Sequence, residues 1–252
     1  MSEINIAGDE PLLALLLAAE PDDVCLLVDY ITDSGKGRIS LAGTVKEFLH
    51  QAGEDKAFDK DVLALLVHEL RMFGGNSITN LFRSGGVTYK EIATDVLSHV
   101  GGKSTDSDDL GTIELKVLQR LLDKAWDKMS KEARAQFAEK FGESDAANPF
   151  SFTHFLNRMG FGHAATLDVT SFISASLGAN LLGAGAVLGA EMLMGRLAGL
   201  ALGPIGVALG AGLAGYSLAS PAFRITLPCV VQIAYIRQKG MQPRLPGGKH
   251  DW

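Results

Sequence analysis

Cysteine is scarce in this 252-residue chain: Cys25 and Cys229 are the only two, and both sit inside apolar runs. That excludes a disulfide scaffold and predicts two buried free thiols. Catalytic signatures are lacking too. GGKST (Gly101–Thr105) has Leu97 where a phosphate-binding loop needs an earlier glycine. DSDDLG (Asp106–Gly111) misses two calcium ligands, with Leu110 and Val117 in their places. HELRM (His68–Met72) carries Met72 where a zinc-binding helix carries its second histidine. The six histidines show no other ligand spacing, and no Gly-x-Ser-x-Gly elbow occurs. The expectation is a non-catalytic protein without metal or cofactor. An enzyme would need groups such as His68, Glu69 and Arg71 to converge in a pocket.

Charge is missing where length makes its absence matter. Val169–Ala190 and Leu197–Phe223 are uncharged runs of 22 and 27 residues. Elsewhere charge is plentiful but uneven. Residues 1–163 hold 17 Lys/Arg against 26 Asp/Glu, and residues 164–252 hold 6 against 3. The acidic front repels phosphate backbones, so no nucleic-acid partner is expected. A basic tail behind an apolar block suits an anionic lipid surface, or simply stays solvated. Leu12–Ala19 is apolar like a secretory leader, but its flank is acidic where a leader needs basic residues. The expected location is therefore the cytoplasm, with inner-membrane association if the apolar block engages lipid.

What is present is helical periodicity nearly throughout; β-branched residues are too scattered to argue for a sheet. Pro11 follows Asp9 and Glu10 as a first-turn proline, and Pro21 opens a second helix. Helices are predicted from about Leu41 to Ala52, Phe58 to Phe73, after Gly85-Gly86 to Val100, and after Asp109. The last carries the stripe Ile113, Val117, Leu118, Leu121, Leu122, Ala125, Trp126 and Met129. Asn76 is a candidate cap for a short helix to Arg83, and Ser130 for one ending at Gly142. Asp22-Asp23 reads as a dipole-complementing pair at a helix start. The double glycines at 74–75 and 85–86 read as sharp turns, with an anion nest as the alternative. ESDAANP (Glu143–Pro149) reads as a linker. Pro221 and Pro228 punctuate a last helix ending near Gln238.

Glycine-rich sequence fills the space before that helix. Gly178–Tyr216 holds eleven of the 29 glycines and two charges, Glu191 and Arg196. Gly185 and Gly189, then Gly195, Gly199 and Gly203, then Gly206 and Gly210 recur at four-residue spacing. On helices such glycines form a ridge for close packing, as in membranes. In water each interior glycine costs a helix about 1 kcal/mol relative to alanine, so packing or an apolar solvent must compensate. Both uncharged runs exceed the roughly 20 residues that cross a bilayer core. Only Phe172, Tyr216 and Phe223 are candidates for an interfacial belt. Two outcomes stay open: a hairpin over about 166–223 that enters or lies on a membrane, or the buried central hairpin of a soluble bundle. In the first, Glu191 and Arg196 form a polar loop or charge pair, and Arg224, Arg237 and Lys239 meet lipid head groups or face water.

HELRMFGGNSITNLFRSGGVTYKEIATDV (His68–Val96) resembles the YaaW family of bacterial proteins. Asp9–Leu41, Leu121–Phe137 and Ser220–Gln238 match its pattern too, so the resemblance spans most of the chain. The family brings no settled activity and no functional residue to carry over. It is grouped loosely with the ubiquinol–cytochrome c chaperones, helical proteins that assist assembly of a respiratory complex. The glycine-rich block is longer and more apolar than such work requires.

The expected fold is thus all-α: a multi-helix bundle with a C-terminal glycine-rich apolar helical hairpin. Four regions are predicted: a helical pair (1–40), amphipathic helices (41–145), glycine-rich helices (146–240) and a tail (241–252). The expected role is membrane association, in its sharper form a pore-forming or membrane-perturbing effector. The alternative is a soluble protein-binding module or assembly chaperone. The protein partner is unspecified, and homo-oligomerisation stays open.

Overall fold

A computed structural model describes residues 4–32, 43–74, 86–140, 163–182, 206 and 222–241. Those residues are helical with short connections, and no strand occurs among them. In chain order the helices are α1 (Glu10–Leu17), α2 (Pro21–Thr32), α3 (Gly43–Glu54), α4 (Lys60–Gly74) and α5 (Tyr89–His99). They continue as α6 (Leu110–Lys128), α7 (Lys131–Lys140), α8 (His163–Leu181) and α9 (Phe223–Gly240). The parts of the predicted hairpin at 183–205 and 207–221, the Asn76 helix and the Glu143–Pro149 linker lie outside the described residues.

Local chemistry explains the helix starts. Asp109 Oδ1 accepts from Thr112 N at 2.8 Å and opens α6. Ser130 Oγ accepts from Ala133 N at 3.2 Å and opens α7. Thr88 and Glu91 form a reciprocal capping box at α5: Thr88 Oγ1 accepts from Glu91 N, and Glu91 Oε2 accepts from Thr88 N at 2.9 Å. Gly101 takes φ +83° just past the end of α5, and Gly102 N donates to Leu97 O at 2.8 Å. The GGKST glycines are therefore a helix stop of the left-handed kind.

The predicted stripe of α6 is buried throughout, from Ile113 to Met129. A single apolar cluster joins it to side chains of α1, α2, α3, α4, α5, α8 and α9. Its centre is α9. Every residue from Ile225 to Ile236 is buried, and α9 packs against α1, α2, α4, α5, α6 and α8. The helix continues past Pro228, which the sequence suggests as punctuation. Pro228 stands in the second turn, so the carbonyl that loses a donor belongs to Arg224, an exposed residue of the first turn.

The body also reassigns the start of the first uncharged run. Val169, Phe172, Ile173, Ala175 and Leu177 of α8 are buried in the same core. Phe172 is fully enclosed, and the Phe223 ring stacks on His99 with centroids 3.7 Å apart. Phe172 is thus a core side chain, and Phe223 is half-buried against the body. The expected hairpin region therefore loses residues 166–182 to the helical body. No helix among the described residues is long and apolar enough to cross a membrane.

Two glycines are required where α4 meets α5. A Cβ on Gly74 would collide with Ile92 and Val87. Gly86 has φ +69°, and a Cβ there would lie 2.6 Å from the backbone carbon and oxygen of Arg71. Gly86→Ala should therefore cost about 2–4 kcal/mol, combining left-handed strain with a clash that backbone cannot relieve by rotamer change. Urea unfolding followed by circular dichroism reads this directly. A loss near zero would mean that the α4–α5 junction relaxes freely.

Candidate functional site

The chemistry of the described body is concentrated in ties between buried carboxylates and cations around α9. Glu114 comes first, because α6 places it between Ile113 and Val117, on the apolar stripe itself. Its side chain is 1% exposed. Arg237 of α9 meets it with two donors, Nε to Oε2 at 2.7 Å and Nη2 to Oε1 at 3.1 Å. The Tyr89 hydroxyl donates to Oε1 at 2.8 Å. A forked guanidinium and a phenol thus satisfy one buried carboxylate.

Asp9 extends this network through the Tyr89 backbone. It is the residue before α1, yet its carboxylate makes no cap there. Both its oxygens accept from Tyr89 N, at 3.0 and 3.2 Å, across 80 residues of sequence. Asp9 therefore completes the N-terminus of α5, whose first N–H groups have no intrahelical partner. Arg71 Nε stands 3.5 Å from Asp9 Oδ2, a charge contact longer than a good hydrogen bond. Arg71 Nη1 donates to Ala7 O at 3.2 Å.

A second tie joins α9 to α2. Lys239 Nζ donates to Asp23 Oδ2 at 2.8 Å and also to Glu20 Oε2. Deeper in, Gln232 Nε2 donates to Asp23 O at 2.7 Å, and the Ser174 hydroxyl of α8 donates to Gln232 Oε1. Asp23 is thus more than a dipole complement at a helix start: it is a buried anchor for α9.

Burial dominates the protonation of these groups. Asp9, Asp23 and Glu114 are all pushed above the usual carboxylate range, desolvation being the largest cause. Their partners pull the other way: Tyr89 N–H and Arg71 for Asp9, Lys239 for Asp23, Arg237 and Tyr89 for Glu114. Asp29, Glu69 and Asp95 are raised by burial too. A carboxyl raised in the fold binds its proton more tightly there than when unfolded. Its destabilising share is full above the folded value, and it is relieved as pH falls through that value towards about 4. Burial lowers His99, whose contribution is present above about 6.5 and lost as pH falls below it. Hydrogen bonds lower half-buried Asp108 and exposed Asp109 and Glu132, whose contribution is lost only below the ordinary carboxylate range. Six raised carboxyls against one histidine predict that Tm rises between pH 7.5 and 5, then falls below about pH 4. Thermal circular dichroism across that range checks it. A monotonic fall from pH 7.5 would contradict the sign.

Of the residues singled out in sequence, Gly185, Gly189, Gly195, Gly199, Gly203, Gly210, Glu191 and Arg196 lie outside the described residues. Gly206 is helical and buried. Arg224 is exposed at the start of α9. Arg237 and Lys239, read as facing head groups or water, instead hold carboxylates inside the fold. His68, Glu69 and Arg71 do not converge, since Arg71 is turned to Asp9 and Ala7. Asp108 ties Thr105 N and Lys116, and Asp109 caps α6. Among the described residues no group of three His, Cys, Asp or Glu could hold a metal ion. Neither Cys25 nor Cys229 is in a disulfide; Cys229 is buried as expected, whereas Cys25 is half-buried. Burial raises the Cys25 thiol to about 11, which makes it a poor nucleophile.

No family model matches the chain, and no solved structure does either. Curated relatives do. A UPF0174 protein of Helicobacter pylori strain 26695 is 30% identical over 184 residues, covering 69% of this chain and 87% of the relative. The UPF0174 protein YaaW of Escherichia coli K12 is 30% identical over 242 residues, covering 93% of this chain and 96% of the relative. That match runs through the front helices, the glycine-rich stretch and α9 alike, and so the chain belongs to the UPF0174 family, that of the YaaW proteins.

Proposed function

We propose that this protein associates with membranes through its glycine-rich segment, residues 183–221, and that the helical body is the non-catalytic base holding that segment at both ends. The observation that carries the reading is the run from Leu197 to Phe223, uncharged over 27 residues and preceded by only Glu191 and Arg196 since Asp168. Such a run suits an apolar solvent, and its four-residue glycine spacing suits close helix packing there. Burial of α8 and α9 supports the division of labour, because their apolar faces are already used inside the body. Arg224 is the exposed cation beside the segment and the head-group candidate among the described residues.

Fractionation of untagged protein at native expression, with a carbonate wash of the membrane pellet, tests this. Protein retained in the washed pellet supports insertion, and leakage of anionic vesicles would support the pore-forming version. Protein found wholly in the supernatant sinks the reading. A second reading, a soluble partner-binding module of chaperone type, draws on the large apolar side chains of Leu17 and Phe48, exposed on α1 and α3. A pulldown without a stoichiometric partner would count against it.

A further inference from the structure

α1 is held from outside itself. It has eight residues, too few to be stable alone in water, and Asp9 before it makes no side-chain cap. It packs on α4 and α9 and buries Leu12, Leu13 and Leu16. A tight turn follows, in which Ala18 N donates to Leu15 O and Ala19 N to Leu16 O. Beyond the turn, α2 is fixed without help from α1, through the Asp23 ties to Lys239 and Gln232. The arm before α1 and α1 itself can therefore leave as one unit while α2 and α9 stay in place.

Beneath the arm lies an anion cradle with a donor to spare. Thr88 and Glu91 satisfy each other at the start of α5, and both Asp9 oxygens share the single N–H of Tyr89. Arg71 of α4 faces the same carboxylate with a side chain only 7% exposed. Its Nη1 donates to Ala7 O, and its Nε, 3.5 Å from Asp9 Oδ2, makes no hydrogen bond among the described residues. Asp9 thus matches the charge of the cradle and leaves a buried guanidinium donor unused. We propose that Asp9 and α1 are the displaceable occupants of a site for a long-chain carboxylate, whose head group takes the place of Asp9 between Tyr89 N–H and Arg71, and whose acyl chain fills the groove that Leu12, Leu13 and Leu16 vacate on α4 and α9. The chemistry of α1 sets that of the ligand, since α1 is itself an acid followed by leucines along one face. Three leucine side chains amount to about twelve carbons, the length of a dodecanoyl chain. An acyl chain brings no backbone polar groups into the apolar groove, as an extended peptide would. A short acid would lose to Asp9, whose tether keeps it at high effective concentration. The site lies within the body and does not depend on the membrane reading.

Hydrogen exchange of the full chain, read by mass spectrometry, tests the site with sodium dodecanoate kept below micelle formation. At saturation the amides of α1 are expected to exchange about tenfold faster or more, while α2, α5 and α9 stay within about twofold of their rates without ligand. Formate, which lacks the chain, and dodecyltrimethylammonium, which reverses the charge, are expected to leave α1 docked. Asp9→Asn removes the competing charge and should lower the dodecanoate midpoint by about threefold or more. Loosening of all helices together, or an equal effect of the cationic amphiphile, would make dodecanoate a mere detergent and overturn the site. So would α1 exchange that dodecanoate leaves unchanged, or a midpoint that Asp9→Asn leaves where it was. A synthetic peptide of residues 4–17 that opens α1 where dodecanoate fails would give the groove to a helix and sink the acyl reading.

Discussion

Arg237→Ala is expected to destabilise the helical body by about 3–5 kcal/mol, the range for removing one partner of a buried ion pair. The substitution takes two hydrogen bonds from Glu114 and leaves the Tyr89 hydroxyl as the donor that still meets it. Glu114 is 1% exposed, so water cannot replace the guanidinium without the body opening. Typical domains have only about 5–15 kcal/mol in total, so the variant should be visibly marginal. Urea unfolding followed by far-ultraviolet circular dichroism measures the loss. The triple change Tyr89→Phe, Glu114→Leu, Arg237→Met should recover most of it, because an apolar replacement leaves no orphaned charge. A loss under about 1 kcal/mol for Arg237→Ala, the range of exposed pairs, would place the pair in solvent.

Phe172→Ala should cost a similar amount, about 3–5 kcal/mol, by emptying a large buried site. Phe172 is fully enclosed in the core that α8 shares with α9. The same substitution separates the body from the lipid-facing segment. A ring anchored in a bilayer interface would, on truncation, weaken vesicle binding and leave the unfolding curve in place. A ring in the body should do the reverse: the urea midpoint drops, and the protein that remains folded floats as before.

The front helices are legible because their information is local. Apolar spacing sets the α6 stripe, and Asp109 and Ser130 mark the starts of α6 and α7. Predicted boundaries such as Phe58 to Phe73 fall within about two residues of α4 at Lys60–Gly74. The centrality of α9 is not legible in the same way. A helix buried on all sides has no polar face, so it loses the period that marks an amphipathic one. Pro228 then reads as a stop. The ties are harder still, since their partners lie 123 residues apart for Glu114 and Arg237 and 216 for Asp23 and Lys239. Read among their neighbours, Arg237 and Lys239 look like surface cations. One signal was available: a glutamate at position 114, on the stripe between Ile113 and Val117, demands a buried cation from somewhere. Sequence spacing could not name which.

The order of packing differs from the order of synthesis. The helix around which the body is built comes after 222 other residues, and Gln232 closes on Asp23 across 209 positions. At translation speeds of about 5–20 residues per second, α2 waits on the order of 10–40 s for that partner to be made. Until then the inward faces of α1, α2, α4, α5 and α6 surround a vacancy. The glycine-rich stretch leaves the ribosome during this interval, ahead of the helix that completes the core. A nascent chain in that condition is at its most hydrophobic when its most apolar segment first appears, so the chaperone or membrane that meets it at the exit tunnel sees a different molecule from the finished one.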